Sequence, residues 1–156
     1  MNETTLLEQL TDDIGMAREL LELIDQEFKA LSDRNLTELE ALLTKKQPLL
    51  ALLGQHGALR SQWLIDQQLS ADRAGLENAV SKYQEGASIL ETAQLLEAEL
   101  ENCRGANERN GRLIRANQGA LGSMLSILQG KDDTPSLYDN RGGASKSKQQ
   151  RPLSQA

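Results

Sequence analysis

The last helical stretch of the chain spaces its seam residues in alternating steps of four and three, from Ile89 to Leu128. This heptad spacing puts all of them on one helix face, so the stretch is constrained to pack against other helices along its length. A helical protein is therefore favoured over a sheet. The seam consists of Ile89, Ala93, Leu96, Leu100, Cys103, Asn107, Asn110, Ile114, Asn117, Leu121, Met124 and Leu128.

The seam turns polar in its second half, where three of its positions are asparagines. A primary amide buried without a hydrogen-bond partner costs about 1–3 kcal/mol, so Asn107, Asn110 and Asn117 must be paired or solvated. The same half contains four glycines, and each destabilises a helix interior by about 1 kcal/mol relative to alanine. Either these small residues allow close packing within the chain, or this half completes its core with another chain.

Three further helices are predicted before the seam helix, because apolar residues recur there at helical spacing between turn-forming residues. In the first, the apolar positions run from Leu7 through Phe28 to Leu31. Asn35, followed three residues later by Glu38, is typical of the cap that begins a helix. The four helices are predicted at about 2–31, 36–68, 72–84 and 88–129.

Together these helices predict an all-α protein in which long antiparallel helices form a coiled-coil-like bundle, a single domain over residues 1–130. The composition agrees, because leucine and alanine are abundant and only four of the 156 residues are aromatic. Pro48 lies inside the second helix. Its missing N–H and its ring predict a kink or a short break at that point.

The sequence changes character after Gly130. Glycine, serine, proline and charged residues predominate from there on, and no helical repeat continues. This composition predicts a disordered, flexible tail over residues 131–156. Leu137 and Tyr138 form an apolar pair in the tail, which is either a short docking element or an incidental feature.

Charge and hydropathy restrict the partners. The net charge is −6, and five basic against three acidic residues after Gly130 leave −8 on residues 1–130. An acidic body disfavours nucleic acid, whose phosphates need lysine and arginine. The sequence has no apolar run of eighteen residues and no basic, hydrophobic signal at its start. We therefore expect a cytoplasmic protein without stable membrane insertion.

Catalytic and metal-binding motifs are missing from the sequence, which has no glycine-rich phosphate loop, nucleophile motif or His/Cys cluster. The single histidine, His56, has Leu53 where a ferritin-like metal motif requires glutamate. We expect it to be partly exposed and without a function. Cys103 lies on the seam and is expected to be buried and inert. The sequence thus predicts no enzyme, no metal and no cofactor.

Two stretches resemble the FlgN family of flagellar export chaperones: the run NERNGRLI from Asn107 to Ile114, and the Leu-Tyr-Asp-x-x-Gly pattern from Leu137 to Gly142. The resemblance implies a cytoplasmic, non-enzymatic chaperone. Its cargo would be the C-terminal helical segments of hook-associated proteins of the FlgK and FlgL type, which form the hook–filament junction and are held before type III export. It also implies delivery to the cytosolic domain of the export gate through an aromatic residue in the tail, and only Tyr138 matches that role. The basic extension after Gly143 does not match the family pattern.

The seam and the resemblance together suggest where cargo binds. A cargo helix could join the bundle along the seam, with the asparagines fixing its register. The alternatives are that the asparagines pair within the free protein or face water, and that the chain is a homodimeric coiled-coil structural adaptor using the same seam. The predicted cargo-binding residues are Asn107, Asn110, Ile114, Asn117, Leu121, Met124 and Leu128.

Overall fold

The computed structural model describes residues 1–118, and these residues form helices without any strand. The all-α class is therefore confirmed. The first three helices begin close to their predicted starts, and the third helix is shorter than predicted. They are α1 (Glu3–Ser32), α2 (Leu36–Asp66), α3 (Arg73–Val80) and α4 (Gly86–Ala116).

Side chains fix where the helices begin. Asn2, Asn35 and Asp72 each accept a hydrogen bond from the backbone N–H three residues further on, at 2.8, 3.1 and 2.9 Å. These bonds satisfy N–H groups that have no partner within the helix, and the cap predicted at Asn35 is confirmed. α4 begins differently, because the backbone N–H of Glu85 donates to the carboxylate of Glu3. This contact ties the start of α4 to the start of α1.

Of the kink or short break predicted at Pro48, the break does not occur, since α2 is helical on both sides of the proline. Pro48 and Thr44 both lie on the exposed side of the helix. The carbonyl of Thr44, which loses the N–H that proline lacks, therefore faces water, which can replace that hydrogen bond. An outward-facing proline thus disturbs α2 less than one packed in the core.

Asn117 interrupts the helix predicted over 88–129, because α4 ends at Ala116 and Gln118 is helical again. Asn117 has left the helical conformation, and its side-chain amide donates to the carbonyl of Leu113 at 3.0 Å, which closes the last turn. The predicted continuation to residue 129 and the predicted tail over 131–156 lie outside the described residues.

Consecutive long helices run in opposite directions. In the pairs between α1 and α2, Glu27 contacts Lys46 and Asp13 contacts Arg60, so the residue numbers change in opposite senses. α4 then returns parallel to α1, since Ala17 contacts Cys103 and Ile24 contacts Asn110. Both of these contacts join residues 86 positions apart, which defines the register of α1 against α4.

α1 is the central helix, because α2 and α4 both pack against it extensively. The apolar core has two parts. The larger lies among all four helices around Leu6, Leu10, Ile89 and Leu96, and the smaller lies where α1 ends, α2 begins and α4 ends. A fully buried leucine or isoleucine stabilises the fold by about 1.5–3 kcal/mol relative to an exposed one. The smaller part consists of Leu23, Ala30, Leu31, Leu39, Leu42 and Ile114.

Candidate functional site

The polar half of the seam packs inside the bundle, against α1. Asn107, Asn110 and Ile114 are only 5%, 2% and 1% exposed. Ile114 belongs to the smaller core at the far end of α1. These three predicted cargo-binding residues are therefore covered by the chain's own first helix, and a cargo could reach them only if α4 separated from α1.

Asn110 has its hydrogen bonds satisfied within the chain. Its amide nitrogen donates to the carbonyl oxygen of Ile24 at 2.8 Å, and its amide oxygen accepts from the Arg109 guanidinium at 3.1 Å. Arg109 in turn donates to Asp25 at 2.9 Å. The sequence left open whether the asparagines pair within the free protein or face water. Asn110 pairs within the chain.

Arg109 also covers Phe28, which lies outside the core. The sequence places Phe28 on the apolar face of α1, yet the residue is 37% exposed. The guanidinium of Arg109 lies 4.4 Å from the centre of the phenyl ring, where a cation is attracted by the face of the ring. A side chain from α4 thus covers this aromatic ring in place of core packing.

Asn117 marks the edge of the described bundle. It is partly exposed, and its amide oxygen accepts a long hydrogen bond of 3.5 Å from Arg34 in the turn between α1 and α2. Arg34 has a positive φ of 54°, a left-handed conformation that is uncommon for an arginine and suits a tight turn. The end of α4 therefore lies beside this turn. The remaining predicted site residues, Leu121, Met124, Leu128 and Tyr138, fall outside the described part of the chain.

One group of buried ionic residues joins α1 to α2, and sequence reasoning missed it. The carboxylate of Asp13 is fully buried and lies 2.6 Å from the guanidinium of Arg60 and 2.5 Å from Nδ1 of His56. Arg60 also donates to the side-chain oxygen of Gln9 at 2.8 Å. His56 is partly exposed, as predicted, but it is engaged in a contact between helices. Among residues 1–118, no group of histidine, cysteine and acidic side chains could hold a metal ion.

A second buried pair lies closer to the far end of α1. Nζ of Lys46 is 2.6 Å from the carboxylate of Glu27, and the two side chains are 1% and 3% exposed. Desolvation raises the pKa of Glu27 above its ordinary value, and the positive charge of Lys46 lowers it part of the way back.

The sequence did contain a signal for both groups. Lys46 and Arg60 occupy positions at which the heptad spacing of α2 expects an apolar side chain, whereas Asp13 and Glu27 lie beside the apolar positions predicted for α1. A charge at such a position is expensive to bury unless an opposite charge meets it. The pattern thus marked Lys46 and Arg60 as internal, but it placed Asp13 and Glu27 on the solvated side of α1 and could not give the pairing.

Cys103 is buried, as predicted. Its thiol donates to the carbonyl oxygen of Ala17 at 3.3 Å. Burial, with a smaller contribution from the negative charge of Glu99, raises the pKa of the thiol to about 11. Since the thiolate is the nucleophilic form, the thiol is unreactive at neutral pH.

Comparison with known proteins gives two matches and one negative result. The chain matches the family model for FlgN protein over residues 1–146. It is also similar to the crystal structure of a flagella synthesis protein FlgN from Pseudomonas aeruginosa, with a TM-score of 0.69 and 42% sequence identity, over 82% of this chain and 98% of that chain. A search among curated proteins gives no significant match. Separately, no helix within residues 1–118 is long and apolar enough to cross a membrane.

Proposed function

The chain belongs to the FlgN family and has a role in flagellar assembly, and from this premise we propose that it is a cytoplasmic export chaperone. Its proposed cargo is the C-terminal helical segment of a hook-associated protein of the hook–filament junction. By covering that segment, the chaperone prevents premature assembly, and it then delivers the cargo to the type III export gate. The proposed action is binding alone, without catalysis, cofactor or nucleic acid.

The observation that carries this proposal is the register of α1 against α4. The offset of 86 puts Ser32, the last residue of α1, level with position 118. The seam continues in the sequence with Leu121, Met124 and Leu128. Their numbers exceed the last position that α1 meets in this register, and we infer that another chain completes the seam. An amphipathic cargo helix is a suitable substitute, since it supplies an apolar face of the same spacing.

The division of the seam gives its residues different proposed roles. Leu121, Met124 and Leu128 contact the cargo directly. The buried positions Asn107, Asn110 and Ile114 hold α4 on α1, and Asn117 ends the packed part of the helix. The rival proposal, a homodimeric structural adaptor, has less support because the first half of the seam is already occupied by α1.

The test is the affinity of the full-length chain for a C-terminal helical fragment of a junction protein, measured by isothermal titration calorimetry. The double variant Leu121→Asp, Leu128→Asp should abolish binding, because charge in a desolvated interface costs several kcal/mol. Circular dichroism of the variant should show a helix content close to that of the unmodified chain. Leu95→Asp is the matched control, because Leu95 is 54% exposed on α4 and should tolerate the charge. Unchanged affinity in the double variant would exclude this cargo site.

Delivery to the export gate is assigned to Tyr138, which follows the seam after a polar segment. An aromatic side chain offers a large contact area at low entropic cost. Tyr138→Ala should weaken binding to the cytosolic gate domain by about 2 kcal/mol while cargo affinity stays within about twofold. Tyr138→Phe, the matched control, should be nearly silent. Equal loss of both interactions would contradict separate sites for cargo and gate.

A further inference from the structure

The outward face of α2 carries an uncharged stripe that includes two exposed leucines. We call Pro48, Leu52, Gln55, Leu59 and Gln62 the outer stripe; they follow one another in steps of four and three, and all are exposed. Leu52 and Leu59 are 41% and 50% exposed. Single exposed leucines are normal on a protein surface, but an aligned series at heptad spacing marks a face that can pack against another helix.

The charges of α2 are distributed in the opposite way from those of an ordinary surface helix. Between Lys45 and Asp66 its ionisable side chains are Lys46, His56 and Arg60. All three face α1, where they meet Glu27 or Asp13. A helix that contacts water usually shows its charges outward and its apolar residues inward. Over these turns α2 shows a charge-free surface outward.

The two ends of the outer stripe carry opposite charges. Lys45 precedes it and Asp66 follows it in the same heptad spacing, and both are exposed. They are 21 positions apart, or about 32 Å at 1.5 Å per residue. Asp66 accepts a hydrogen bond from Gln62 at 2.7 Å, which directs its carboxylate along this face.

We propose that the outer stripe binds the outer stripe of a second copy of this chain, with the two α2 helices antiparallel about an axis between positions 55 and 56. In this arrangement each Lys45 lies beside Asp66 of the other copy, and each Leu52 lies beside Leu59 of the other copy. The two Gln55 amides meet at the centre and can hydrogen-bond to each other. A two-fold interface must be self-complementary in this way.

A parallel pairing is disfavoured by the same charges, because it would set lysine against lysine and aspartate against aspartate. The antiparallel pair also does not involve α4, since α1 lies between α4 and α2. This interface is therefore distinct from the one that the adaptor alternative would use, and its existence does not depend on the proposed cargo site.

Light scattering on the full-length chain over a range of concentrations tests the interface. The average mass should rise with concentration from that of one chain towards that of two. Leu59→Glu should keep the mass of one chain throughout, whereas Leu95→Glu, an equally exposed leucine on α4, should behave as the unmodified chain. An unmodified chain that stays monomeric, or equal loss of dimer in both variants, would overturn the proposal.

Charge reversal tests the orientation. Lys45→Glu and Asp66→Lys should each raise the dimer dissociation constant by about three- to tenfold, because each creates like-charge pairs at both ends. The double variant restores opposite charges and should return the constant to within about twofold of the original. A double variant no better than the single ones would overturn the antiparallel pairing.

Oxidative crosslinking gives an independent check. Gln55→Cys should form a disulfide between copies, whereas Lys45→Cys should not, because antiparallel helices hold those positions far apart. The native Cys103 should not interfere, being buried with a thiol pKa of about 11. Crosslinking of both variants would indicate a parallel pair and would also overturn the proposal.

Discussion

Lys46 and Glu27 carry opposite charges inside the bundle, with 1% and 3% of their side chains exposed. In a buried ion pair the cost of desolvation offsets most of the attraction, so the pair adds little net stability. Losing one partner is different, because the other then remains as an uncompensated buried charge. We therefore expect the pair to act mainly on specificity, since a shifted register of α1 against α2 would leave both charges unpaired.

This reasoning gives a prediction for Lys46→Met. The free energy of unfolding at pH 7.5, measured by urea denaturation, should fall by about 3–5 kcal/mol. The loss should be smaller at pH 5. Burial raises the pKa of Glu27 above the ordinary 4.5, so the folded chain binds this proton more tightly than the unfolded chain, and stability from this group increases as the pH falls.

Two controls accompany this measurement. Lys82→Met removes an exposed lysine and should change stability by less than about 0.5 kcal/mol. Glu27→Leu combined with Lys46→Met removes both charges and should recover most of the loss, because an apolar pair of similar size replaces the ion pair. If Lys46→Met is no more harmful than Lys82→Met, the buried pair does not have the role given to it here.

Single residues also show where sequence reasoning reaches its limit. The burial of Cys103 and the partial exposure of His56 follow from their positions relative to the seam and to the turns of α2. The partners of Asp13 and Lys46 do not follow from sequence position. The partners of Asp13 lie more than forty positions away on another helix, and the partner of Lys46 lies nearly twenty positions away. Heptad spacing identifies an inward position but contains no information about which residue of another helix faces it.

At the scale of helices, caps and spacing predicted the starts of α1, α2 and α3 well, because each depends on side chains close by in the sequence. The end of α4 was not predicted, since a seam of regular spacing continues past it. The outward face of α2 was also missed. Leucines occur on two opposite faces of that helix, and spacing alone could not decide which face packs on α1.

The contact between α1 and α4 gives a second prediction, for Asn110→Ala. The substitution removes the amide that donates to Ile24 at 2.8 Å and accepts from Arg109. We expect the free energy of unfolding to fall by about 1–3 kcal/mol, the usual cost of losing a buried hydrogen-bonding group.

Asn102→Ala is the matched control, because Asn102 is an exposed asparagine of the same helix. Alanine is the better helix former, so this change should be neutral or slightly stabilising. Equal effects at both positions, read from urea denaturation of each variant, would contradict an internal role for the Asn110 amide.

At the scale of the whole molecule, the described bundle separates two surfaces. The polar part of the seam up to Ile114 is covered by α1, and the outer face of α2 is exposed. The sequence predicted the class of fold and the helical body correctly. It could not predict this division, which depends on the register of two helices more than fifty residues apart in the chain.

The central claim is that the seam beyond the end of α1 receives the cargo helix, and amide hydrogen exchange tests it most directly. The full-length chain is compared with and without a C-terminal helical fragment of a junction protein, and exchange is read by mass spectrometry. Cargo should slow exchange in peptides covering residues 119–129 and leave residues 48–62 of α2 unchanged. Slowed exchange confined to α2, or no change over 119–129 in a saturated complex, would contradict the claim.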